Sequence, residues 1–157
     1  MLIDREQFLT QNSATDGTIA GQAFSPNDGV ADYGDSEYDL KAAGHNPAVG
    51  SSLSAYIMTT VDAATATNII VSVGSASAAA GTNYAALVTR TFALAELTVA
   101  LGVYKIGTLN TQGIPAGNDL LLACITPSGA NLTAGTFKIW LQKDSDDSSP
   151  HNAANKI

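Results

Sequence analysis

The chain reads as an all-β protein, most simply an antiparallel two-layer sandwich or a barrel. Three features say so. Its apolar residues recur with a period of two in several short runs, turn-forming residues separate those runs, and no stretch carries a full helical face. At 157 residues it is one ordinary domain by length, large enough to bury a core without disulfide or metal.

Taken in order, residues 1–14 carry scattered apolar side chains, Leu2, Ile3, Phe8 and Leu9, and read as an arm or edge strand that docks on something else. The β domain proper is expected over residues 15–143. Within it, residues 25–39 hold Asp28, Asp32, Asp35, Glu37 and Asp39 among Pro26, Gly29 and Gly34, which makes a loop ending in a short strand near Glu37–Leu40. A second loop follows through Gly44, His45, Asn46 and Pro47 to Gly50.

From residue 53 the alternation is clear. Leu53, Ala55, Ile57, Thr59 and Val61 form one face of a half-buried strand, and Ile69, Val71 and Val73 form the same face of the next. Ser75–Tyr84 is small and polar and reads as a loop. Leu87–Phe92 is a further strand, Ala93–Leu97 a helical turn, and Thr98–Leu109 a return to β character. Gly113–Asn118 is a turn on composition. Leu120–Ile125 is apolar on both faces, as in a central strand covered on both sides. Pro127–Asn131 turns the chain into a last strand, Thr136–Gln142, with Phe137, Ile139 and Leu141 inward and Lys138, Trp140 and Gln142 outward. Residues 144–157 open with Asp144, Asp146 and Asp147 among serines and read as a flexible acidic tail.

Composition narrows function. Charged residues are only 13% of the chain, and the net charge is −7. An acidic, charge-poor surface repels phosphate backbones and anionic lipid, so neither nucleic acid nor membrane is an expected partner. The charges near the N-terminus leave no room for a signal peptide's apolar stretch, and the run Phe92–Val103 is too short to span a bilayer. Synthesis in a cytoplasm is expected.

A search for chemistry returns little. There is no Gly-x-Ser-x-Gly elbow, no phosphate loop and no Gly-x-Gly-x-x-Gly. Two histidines, His45 and His151, fall short of the cluster that a cupin-type metal centre needs. Cys124 sits in an apolar run without a basic neighbour, which suits a small buried hydrophobe better than a nucleophile. The acidic cluster 28–39 offers oxygen ligands of the kind calcium takes, but its spacing is not that of an EF-hand, and a solvated loop is the plainer reading. No catalytic residue, metal or cofactor is expected, and an enzyme built on His45 is the weakest reading. Trp140, the one tryptophan, points outward by parity. It is either covered locally or an anchor at an interface, where Trp is enriched.

Several blocks, in order, carry a resemblance. Leu132–Asp144, the opening Met1–Phe8, Glu37–Leu40 leading to Gly50, Phe92–Leu97 followed by Tyr104–Ile106, and Ile114–Gly117 together resemble the capsid cement (decoration) proteins of tailed bacteriophages. The chain departs from that family in having Tyr38-Asp39-Leu40-Lys41 where an Ile-Asp-Leu-Gly string is usual, and in the alanine-rich stretch 76–84. The resemblance implies a jelly-roll β-sandwich without catalytic residues, seated on the outer surface of a virion head. Its partners would be the major capsid protein and copies of itself, a dimer rather than a trimer. Leu2, Ile3, Phe8, Leu9 and Trp140 are the expected interface residues. A glycan- or receptor-binding jelly roll of a virion is the alternative.

Overall fold

The computed structural model describes residues 32–33, 38–41, 53–130 and 132–143. Within them the chain forms β1 (Asp32–Tyr33), β2 (Tyr38–Asp39), β3 (Leu53–Ala64), β4 (Asn68–Ala76), β5 (Ala85–Ala93), β6 (Val103–Leu109), β7 (Leu120–Ser128) and β8 (Ala134–Lys143). Short 3-10 turns lie at Leu94–Glu96, Val99–Leu101 and Thr111–Gly113. One sheet has the order β1-β7-β4-β5 with β2 also on β7; the other has the order β6-β3-β8, and every pairing is antiparallel. Between β3 and β8 the chain changes sheets four times, and only β4 and β5 are successive neighbours.

The alternation expected from the sequence builds the core. Leu53, Ala55 and Ile57 of β3, Ile69, Val71 and Val73 of β4, and Phe137, Ile139 and Leu141 of β8 are all buried and share one cluster. From β7, Leu121, Ala123 and Ile125 join that cluster, while Leu122 and Cys124 are buried on the sheet's opposite face. β7 is therefore the central strand expected of a run apolar on both sides. Tyr38, opposite Leu121, adds its ring to the same core.

Where the two sheets meet at β5 and β6, the approach is close because Gly107 has no side chain: a Cβ there would lie 2.5 Å from Val88 Cγ2. Arg90 spans this junction. Its guanidinium donates to the Lys105 carbonyl at 2.6 Å, lies 4.5 Å from the Phe92 ring centroid, and stands 5.7 Å from that of Tyr104. One end of the sandwich is tied by buried Asn118, whose Nδ2 donates to Ser75 O (3.1 Å) and Asn83 O (2.9 Å). Nearby, exposed Lys41 pairs with Asp119 at 2.5 Å, and that hydrogen bond raises the lysine's pKa above its ordinary value.

Three expectations are corrected. The segment Thr98–Leu109 is not one strand: Val99–Leu101 coils into a 3-10 turn, Gly102 takes φ 81°, and β6 starts only at Val103. Pro127 and Ser128 do not turn the chain but extend β7, beyond the point where its pairing with β1 ends at Ile125. Val61 leaves the buried face. Thr59 pairs with Phe137 and Val61 with Thr136, so Thr60 is an extra residue in β3, and parity reverses past it. Val61 is 51% exposed.

Candidate interaction surface

The outer face of the sheet β6-β3-β8 can be read in rows across its register. Val61 and Thr136 form the first row; Val103, Met58 and Lys138 the second; Lys105, Tyr56 and Trp140 the third; Thr108, Ser54 and Gln142 the fourth. The bulge at Thr60 places Val61 in this set, and the Thr60 hydroxyl fixes it by pairing with the Thr136 hydroxyl at 2.5 Å. The 3-10 turn sits beside the first row because Asp62 Oδ1 accepts a hydrogen bond from the Val99 N–H at 2.6 Å. A carboxylate there satisfies a donor that the first turn of a helix leaves open.

The two halves of this face differ. At the far end Ser54 is fully buried, with its hydroxyl 3.1 Å from that of Thr108, and Trp140 is only 3% exposed, stacked on Tyr56 with centroids 5.9 Å apart. At the near end Val61 and Val103 are each about half exposed; with Val99 and Leu101 of the adjoining turn they are the exposed large hydrophobics among the described residues. Lys138 lies across β3 from Val103, and Lys105 is in the next row. Two lysines thus flank Val103 on this face.

Of the residues expected at an interface, Trp140 lies on the outer face as parity requires, but within a single chain it is buried rather than offered to a partner. Leu2, Ile3, Phe8 and Leu9 lie outside the described residues, as do His45, His151, Asp28, Asp35 and Glu37. Asp39 accepts from the Lys41 N–H at 2.8 Å, as a turn-forming aspartate does. Cys124 is buried at the middle of β7, opposite Ser72, 4.0 Å from the Thr126 hydroxyl. Among the described residues no three His, Cys, Asp or Glu side chains stand together as a metal site would require, and no helix is long and apolar enough to cross a membrane.

Sequence reasoning missed Val99, Leu101 and Val103 as surface residues. A signal was present in Gly102, a residue free to take the left-handed conformation that ends the turn before β6. No family model, no curated protein and no solved structure matches the chain.

Proposed function

We propose that the protein is a structural virion component, a cement protein that binds the outer surface of a tailed phage's icosahedral head and stabilises it. In this reading it is a jelly-roll sandwich, with residues 1–14 as an arm and 144–157 as an acidic tail. It works without catalysis or cofactor, and its partners are the major capsid protein and copies of itself.

The observation that carries the reading is the exposed apolar band Val61–Val99–Leu101–Val103 on an otherwise charge-poor, acidic body. Such a band marks a surface to be covered by another protein. On a symmetric lattice each copy needs only a modest contact, because neighbouring contacts add through avidity. The resemblance supports the same reading. Among the described residues its blocks fall on β2, on the end of β5 with the following turn and β6, on the 114–117 turn and on β8.

The test is co-sedimentation with undecorated, DNA-filled heads of the phage whose genome carries the sequence, followed by imaging. Saturable binding at symmetry-related positions is expected, with Leu101→Asp lowering occupancy at least tenfold. Folded protein that stays in the supernatant at all head concentrations would sink the reading.

A further inference from the structure

We infer that the outer face of the sheet β6-β3-β8 takes an acidic, extended segment of a partner protein, with Lys105 and Lys138 meeting its carboxylates on either side of β3. The inference deepens the proposed function by naming the chemistry of the surface this protein meets, and it rests on that reading only in taking the face for a protein contact.

Sign comes first. The whole chain carries −7, from fourteen acidic residues against seven basic ones. This face reverses the balance: its four rows hold two lysines and no acid. Asp62, next to Val61 in sequence, has its carboxylate engaged by the Val99 N–H at 2.6 Å. Asp32 and Asp39 belong to the other sheet, and Asp119 is taken up by Lys41. Lys138 makes no such ion pair with a described residue. A cationic face on an anionic body draws in an acidic partner and sets the orientation in which the two meet, because every other approach brings like charges together. A phosphate polymer fits less well, since it gains affinity by neutralising many charges at once and would meet the surrounding acids.

Geometry gives the shape of the occupant. Lys138 shares a row with Met58 and Val103, and Lys105 stands in the next row beside Tyr56. With strands about 4.8 Å apart and a two-residue step of about 6.7 Å, the two lysines start roughly 12 Å from each other. Two acids four residues apart on one side of an extended segment span about 13 Å. The diagonal between the lysines crosses β3 at Met58 and Tyr56, both half-buried, with Val103 beside it 52% exposed. A side chain midway between the two acids therefore lands on apolar surface. The pattern that fits is acid-x-aliphatic-x-acid, with all three side chains on the side laid against the sheet. Lysine suits both ends, because its stem covers apolar neighbours while its ammonium reaches outward.

NMR titration of the full chain tests this, with a blocked peptide Glu-Ser-Val-Ser-Glu as probe and Lys-Ser-Val-Ser-Lys as its counterpart. Saturable shifts around Met58, Val103 and Lys138 are expected with the acidic peptide and none with the basic one. Lys105→Glu and Lys138→Glu should each weaken binding at least fivefold, and raising salt from about 50 to 500 mM should do the same by screening. Lys41→Glu changes the net charge equally but lies on the other sheet, and should leave the affinity within twofold. Melting temperatures of all three variants are read alongside. The inference is overturned by an absence of saturable shifts, or by Lys41→Glu weakening binding as much as Lys138→Glu. It is also overturned if duplex DNA binds the same lysines more tightly than the peptide does. Changing Asp144, Asp146 and Asp147 together to Asn, and finding tenfold tighter peptide binding, would make the chain's own acidic residues the occupant and overturn it too. The two readings fail separately. Heads bound with an occupancy indifferent to Lys105→Glu, Lys138→Glu and salt remove the acidic contact and leave the cement role, whereas a peptide held by both lysines on a chain that ignores heads does the reverse.

Discussion

On the outer face of the five-stranded sheet, Ser72, Leu122 and Cys124 are all buried; on the outer face of the three-stranded sheet, Val61 and Val103 stand half open to water. Both faces are built by the same strand alternation, so the difference does not come from the strands. It comes from what the loops bring over them. The 77–84 connection returns Tyr84 across β4, with its ring against Gly74 and its hydroxyl 2.9 Å from that of Ser72. The Val99–Leu101 turn does the opposite. Tied to Asp62, it leaves its own Val99 and Leu101 half exposed and adds apolar surface instead of closing it. The chain covers the middle of one outer face around Ser72, Leu122 and Cys124, and leaves Val61 and Val103 open on the other.

The sharpest way to break this contrast is Gly74→Ala. A methyl group there would meet Ala85 O at 2.3 Å, Tyr84 Cζ at 2.7 Å and Ala86 Cα at 2.8 Å. Two of those atoms are backbone and cannot rotate away, so β5 or the Tyr84 cover must shift. Overpacking of this kind costs about 3 kcal/mol, which lowers the thermal midpoint of a chain this long by about 6–12 °C. A thermal melt with no measurable change would mean that neither β5 nor Tyr84 approaches Gly74 this closely.

A smaller effect is expected from Asn118→Ala, which cuts the tie between the loop and the end of β4 without overpacking the sheet. Removing the buried amide leaves Ser75 O and Asn83 O without its donor, a loss of about 2 kcal/mol in urea unfolding. Asn83 is held at φ 55°, a left-handed conformation that asparagine tolerates, so the amides around it should exchange faster once the tie is cut. Unaltered exchange over 77–84 would show that Tyr84, rather than Asn118, anchors the loop.

These examples also show what could be read from the chain beforehand. The β3, β4 and β8 cores were legible because side-chain period is a local property, and Ile57, Val71 and Ile139 obey it, while β7 was legible as an unbroken apolar run. The outward parity of Trp140 was legible for the same reason. Its burial was not, because cover over a face is supplied by residues distant in sequence. Val61 escaped for a different reason. A bulge inserts one unpaired residue, and Thr60, which makes it, is no less suited to a regular strand than its neighbours. The band was hidden because Val99, Leu101 and Val103 look like a strand's buried face until Gly102, at φ 81°, separates the turn from β6.

The smallest effect should come from Val103→Ser on the open face, and it discriminates best between the two sheets. Val103 is 52% exposed on an edge strand, so exchanging it for a hydroxyl removes little buried area and leaves no cavity. Its neighbour Met58 keeps the backbone pairing that holds β6 in place. In dilute solution the unfolding free energy should move by less than about 0.5 kcal/mol, as at an ordinary surface position. Concentrated protein should behave differently: if the band is covered by a partner, Val103→Ser loses the extra stability that wild type gains as concentration rises, since binding to the native state alone stabilises it by mass action. A drop of 2 kcal/mol in the dilute regime would mean that Val103 is already covered within one chain, and the two outer faces would then be alike.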